Sequence, residues 1–154
     1  LLTRIHNRLQ TQASKEASPI EQVWYHTSTG NKTGVRATIT PEEFLDTSYP
    51  VAEAELQLLF EFPKTHAYDF YRIQWVESDR NLMVGWHQDE MHMDLGECHF
   101  QVDYRGETVQ RDTAEFLDTH PLNVFDERID DLVDVLDTLT WDNATPRVPN
   151  QAVR

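Results

Sequence analysis

Between Ala54 and Phe62 the chain alternates strictly: Leu56, Leu58, Phe60 and Phe62 take every second position, with Glu55, Gln57 and Glu61 among the residues between them. A period of two puts the apolar side chains on one face of an extended strand and the polar ones on the other. A strand buried on one side belongs to an antiparallel sheet with one packed face and one solvated face. Four more strand patterns follow: Tyr68 to Val76, Leu82 to His87, His99 to Tyr104 and Glu107 to Arg111. Short turns at Glu77–Asn81 and Arg105–Gly106 separate them, as expected of antiparallel neighbours. The prediction is a β-meander over residues 54–112.

Helices frame it. Leu2, Ile5 and Leu9 recur at helical spacing, which predicts an N-terminal helix from 2 to 13 and a linker to about residue 20. Val23 to His26 and Val35 to Ile39 read as strands, joined by a hairpin across Gly30 and Asn31. Thr40-Pro41-Glu42-Glu43 starts a short helix, with proline in the first turn and Glu43 placed for a capping box. Near the C-terminus, Phe125, Ile129, Leu132, Leu136 and Leu139 are spaced 4, 3, 4 and 3, an amphipathic stripe. Asn123 is read as its cap, so the helix is expected over 123–140. Asp126, Glu127, Asp130, Asp131, Asp134 and Asp137 are assigned to its outer faces. Residues 141–154 show no periodicity and are read as a tail. The expected fold is α+β: one domain over 1–154, an antiparallel meander with the acidic C-terminal helix packed on one face, and an N-terminal helix.

Charge bounds the working environment. The 154 residues hold 27 acids against 13 bases, a net charge of −14, and three lysines stand against ten arginines. Carboxylates hold water and cations, and net charge opposes precipitation where concentrated salt strengthens hydrophobic association. The composition therefore points to a protein of a salt-loving cell. Residues 1–36 run against this with a net +3, leaving −17 on the remainder. Arg4 and Arg8 in that segment are candidate contacts for a phosphate backbone or for the acidic body itself. No run of 18 apolar residues marks a membrane span, and no apolar leader is visible. A single cysteine, Cys98, cannot form an internal disulfide, which fits a reducing interior. The expectation is a cytoplasmic protein with no membrane partner, self-association being left open.

The stretch Trp86-His-Gln-Asp-Glu-Met-His-Met-Asp-Leu-Gly-Glu-Cys-His99 concentrates the reactive side chains. His87 ends one strand, His92 lies in the loop and His99 opens the next strand, so a hairpin can bring the three imidazoles together. Three imidazoles can hold a divalent metal such as zinc and leave a position for water. Asp89, Asp94 or Glu97 could join as ligand or base, and Cys98 as a soft ligand. Alternatively His87 with Asp89, or His99 with Glu97, could form a pair for acid–base work on a phosphodiester, with Arg72, Arg80 or Arg111 on the phosphate. The bland reading is a polar loop, with Cys98 packed in the core. The aromatic residues Tyr68, Phe70, Tyr71, Trp75 and Trp86 could stack on bases, but their alternation on strands favours core packing.

The run Tyr71-Arg72-Ile73-Gln74-Trp75, a turn, then Leu82-Met83-Val84-Gly85-Trp86-His87-Gln88-Asp89 and a histidine-containing loop resembles the TumE-like toxin-component proteins. Asp118-Thr119-His120-Pro121-Leu122 before the acidic helix is similar to small haloarchaeal proteins of this length. Where the toxin-component pattern has a Pro-His-His loop, this chain reads Gln88-Asp89-Glu90-Met91-His92. The resemblance implies a toxin–antitoxin setting, action on RNA through His87, Asp89, His92 and His99, and a small antitoxin-like partner. The other reading is a non-catalytic protein-interaction module.

Overall fold

Seven strands pair in chain order into one antiparallel sheet: β1 (Ile20–Ser28), β2 (Asn31–Ile39), β3 (Ala54–Glu61), β4 (Phe70–Glu77), β5 (Leu82–Gln88), β6 (His99–Tyr104) and β7 (Glu107–Thr113). The computed structural model describes residues 1–15, 18–62 and 70–154. Tyr68 and Asp69, the expected start of the fourth strand, lie outside the described residues. The helices are α1 (Leu2–Ala13), α2 (Pro41–Leu45) and α3 (Pro121–Thr138). This is the α+β meander that the alternation predicts, with a helix at each end. None of the helices among the described residues is long and apolar enough to cross a membrane.

The register explains the core. Val35 faces Leu58, Leu58 faces Ile73, Ile73 faces Trp86 and Trp86 faces Phe100, so one apolar row crosses five strands. All five residues are within 1% of complete burial. Burying side chains of this size contributes about 1.5–3 kcal/mol each. Ile5 and Leu9 of α1, and Val124, Phe125, Leu132, Val135 and Leu136 of α3, complete that core. The opposite face of the sheet carries the polar alternates, among them Arg36, Gln57, Gln74 and Gln101.

Several expected boundaries move. The sheet begins at Ile20 rather than Ala54, because the β1–β2 hairpin joins β3 through Ala37 and Leu56. Its turn centres on Thr29 and Gly30, not on Gly30 and Asn31; both have positive φ, as the two-residue turn requires. Helix α3 starts at Pro121 rather than Asn123. His120 is its cap, accepting a hydrogen bond at Nδ1 from Leu122 N. Asp131, assigned to the outer face, is buried against Arg128. Residues 141–154 are not a plain tail: β8 (Thr140–Asp142) and β9 (Thr145–Arg147) form a hairpin. Val148 beyond it is buried and bonded through its backbone to Gln110.

Candidate functional site

The polar face of the sheet is built from rows set by register. Arg36, Gln57, Gln74, Gly85, Gln101 and Arg111 lie opposite one another across β2 to β7. The next row runs Leu59, Arg72, His87, His99 and Thr113. His87 and His99 are therefore direct partners, with ring centroids 5.3 Å apart and planes at 74°. Each occupies an outward position of its strand, yet both are buried, at 7% and 2% exposure.

The loop between β5 and β6 provides the cover. Asp89 accepts a hydrogen bond from Met91 N at 2.9 Å, which turns the chain back on itself. A single 3-10 turn, Met93–Leu95, follows, and Gly96 at φ +96° supplies a backbone conformation that suits glycine. The turn brings the ring of His92 to 4.7 Å from that of His99. Its Nδ1 stands 3.7 Å from Asp89 Oδ1. His87, Asp89 and His99 each offer a ligand atom within 4.8 Å of the other two. The imidazoles at 87, 92 and 99 thus meet at one end of a hairpin.

Polar side chains fix the orientation of His87. Its Nε2 lies 3.0 Å from Gln74 Oε1. Gln74 donates from Nε2 to Gln57 Oε1 at 2.7 Å, and Gln57 donates to Glu55 Oε1 at 2.6 Å. Arg36 donates to the same carboxylate oxygen at 2.5 Å. Since Gln74 presents its oxygen to His87, Nε2 carries the proton and Nδ1 the lone pair. Gly85, opposite Gln74, has no side chain to block this diagonal contact.

Burial lowers the His87 pKa to about 3, helped by the neighbouring His99 and Arg72. Burial also lowers that of His99. A neutral imidazole keeps a lone pair and makes a ligand or a proton acceptor rather than an acid. Among the described residues, the Nε2 of His99 is buried without a hydrogen-bond partner, as is Nδ1 of His92. Arg72 and Arg111 stand with His87, Asp89 and His92 around an open cleft of about 430 Å³. Arg111 is steadied by its Nε hydrogen bond to Gln101, at 3.0 Å.

Other expected site residues lie elsewhere. Arg80 sits in the β4–β5 turn, at the far end of the strands from His87, and bonds to Glu77 and the Tyr49 hydroxyl. Arg4 is an exposed residue of α1 on the helix-covered side, and Arg8 pairs with Asp126 of α3. Asp94 and Glu97 are exposed and are not members of the ligand cluster. Cys98 is buried in the core, with Sγ 3.5 Å from the Tyr71 hydroxyl; burial pushes its pKa up, which disfavours the thiolate, and it is not a member of the ligand cluster. The Gln74–Gln57–Glu55 ladder escapes sequence reasoning, although its members are the polar alternates of β3 and β4. Among known proteins, no family model matches the chain, and neither a curated protein nor a solved structure does.

Proposed function

We propose that the chain is an RNA-directed enzyme similar to toxin components, acting at the cleft between the β5–β6 loop and the open face of the sheet. The supporting observation is the meeting of His87, Asp89, His92 and His99 beside two arginines that project from neighbouring strands. In such a reaction Arg72 and Arg111 hold the non-bridging phosphate oxygens. An imidazole takes the proton of the attacking ribose hydroxyl; the oxygen bonds to phosphorus, and the 5′ oxygen leaves and is protonated. His92, half-buried at the mouth of the cleft and backed by Asp89, is the group assigned to proton transfer.

The proposed setting is the cytoplasm of a salt-loving cell, with a small antitoxin-like protein as partner. A second reading has its own support. Met91 and Met93, on the same loop, are 75% and 54% exposed, as the rim of a protein-docking surface would be. On that reading the chain is an interaction module and the histidines only shape the loop.

The test is RNA cleavage by purified protein in multimolar KCl, together with growth inhibition on expression. Wild type is expected to cleave a single-stranded oligoribonucleotide, and His92→Ala to lose cleavage while keeping its circular dichroism spectrum. A folded His87→Ala/His99→Ala variant that still inhibits growth would remove the enzyme reading and leave the docking module.

A further inference from the structure

We propose that His87, Asp89 and His99 bind one divalent transition-metal ion, through one nitrogen of each imidazole and one carboxylate oxygen, with open coordination positions facing Arg72 and Arg111. The inference rests on the reading of this cleft as a reaction centre and gives that centre its ligand set. It replaces His92 of the three-histidine set with Asp89.

Three observations carry it. The ligand atoms lie within 4.8 Å of one another. Ligands about 2.0–2.2 Å from a shared ion stand about 3–3.5 Å apart, so small side-chain rotations close the set. His99 is 2% exposed and its Nε2 has no hydrogen-bond partner among the described residues. A buried nitrogen in that condition is a cost unless something binds it. Finally, the Gln74 contact takes the Nε2 proton of His87 and leaves Nδ1 free to ligate. Ligating histidines are commonly oriented by a hydrogen bond from the other ring nitrogen. Here the restraint runs through Gln57 to the Glu55–Arg36 pair, across three further strands.

Two imidazoles and one carboxylate suit zinc, iron(II), manganese, cobalt or nickel, and leave positions for water or a phosphate oxygen. With neutral imidazoles the filled site carries about one net positive charge. An anionic substrate could thus bind at a locally cationic spot on an acidic protein. His92, on its loop, stands beside the open side of the ion as a proton-transfer group rather than a ligand.

The experiment is titration of chelator-stripped protein with Co²⁺ and Zn²⁺ in multimolar KCl, followed by calorimetry and by the visible absorption of bound Co²⁺. Wild type is expected to take one equivalent and show ligand-field bands. Asp89→Asn and His99→Ala are expected to abolish the bands, and Gln74→Leu to weaken binding by about 10–100-fold. His92→Ala is expected to retain stoichiometric binding. Folded wild type that takes up no metal, or Asp89→Asn and His99→Ala variants that bind as wild type does, would overturn the site. RNA cleavage undiminished by chelator with no metal uptake would sink the metal centre alone. Stoichiometric metal without RNA cleavage would uphold it and sink the RNA reading.

Discussion

Arg128 of α3 lays its guanidinium 4.9 Å from the ring centre of Trp86 on β5, and both side chains are completely buried. Its Nη1 donates to Asp131 Oδ2 at 2.9 Å and its Nη2 to the Glu115 carbonyl at 2.6 Å. The helix that closes the core is thus pinned to the sheet by a cation. Removing one member of a buried pair strands the other charge, at a cost of about 3–5 kcal/mol, whereas an apolar replacement of both can be neutral. Arg128→Gln should therefore lower stability in urea unfolding by about 3–5 kcal/mol, and Arg128→Met/Asp131→Leu by much less. A single substitution no more costly than a surface change would show that Arg128 does not pin the helix.

Acid should destabilise the metal-stripped protein through His87. In the folded chain burial lowers its pKa to about 3, whereas the unfolded value is about 6.5. Below about pH 6.5 the unfolded chain takes a proton that the folded chain refuses, so stability falls as pH drops and is fullest above about pH 7. The loss from this residue between about pH 7.5 and pH 5 is about 2 kcal/mol. His99, shifted in the same direction, adds to it. Urea unfolding at fixed KCl should show this slope, and His87→Gln should flatten it. Stability that stays level on acidification would contradict the burial of these rings.

Gly85 on β5 lies directly against the β4 backbone. A β-carbon there would lie 2.3 Å from the Ile73 carbonyl oxygen and 2.7 Å from Cα and Cβ of Gln74. Backbone cannot move aside as a flexible side chain can, so alanine must push the two strands apart beside the His87–Gln74 contact. Gly85→Ala is expected to lower Tm by about 3–10 °C and to weaken any metal binding through the loss of His87 orientation. An unchanged Tm would mean that the strands part without strain.

What the sequence disclosed follows from which forces are local. The meander was legible because its two faces differ, so Leu56, Leu58 and Phe60 announce their side by alternation alone. The full length of β1 was not, because two register irregularities and only two buried positions break its pattern. The β8–β9 hairpin was hidden for another reason. Its turn uses Asn143 and Ala144 at positive φ instead of an Asn-Gly signal, and Pro146 lies within a strand. At the site, the approach of the imidazoles was legible because a hairpin pairs the end of one strand with the start of the next. The ladder from His87 to Glu55 was not, since it depends on exact register among β3, β4 and β5. The burial of Arg128 and Asp131 depends on how α3 is rotated, which an apolar stripe fixes only to within a residue or so.

Salt dependence bears on the proposed setting. Asp126, Glu127, Asp130, Asp134 and Asp137 are all exposed on α3, and the chain carries a net −14. Of these, Asp126 and Glu127 have arginine partners, in Arg8 and Arg154, through exposed pairs. Such pairs contribute little. In dilute buffer the remaining like charges repel, and the acids near the C-terminal end of the helix also oppose its dipole. At multimolar salt the Debye length falls to about 3 Å or less, and both penalties are screened. Circular dichroism should therefore show partial or full loss of structure below roughly 0.5 M KCl. Replacing Asp134 and Asp137 by Asn should move that threshold to lower salt. A melting temperature identical in dilute and concentrated KCl would show that the acidic surface is not an adaptation to salt.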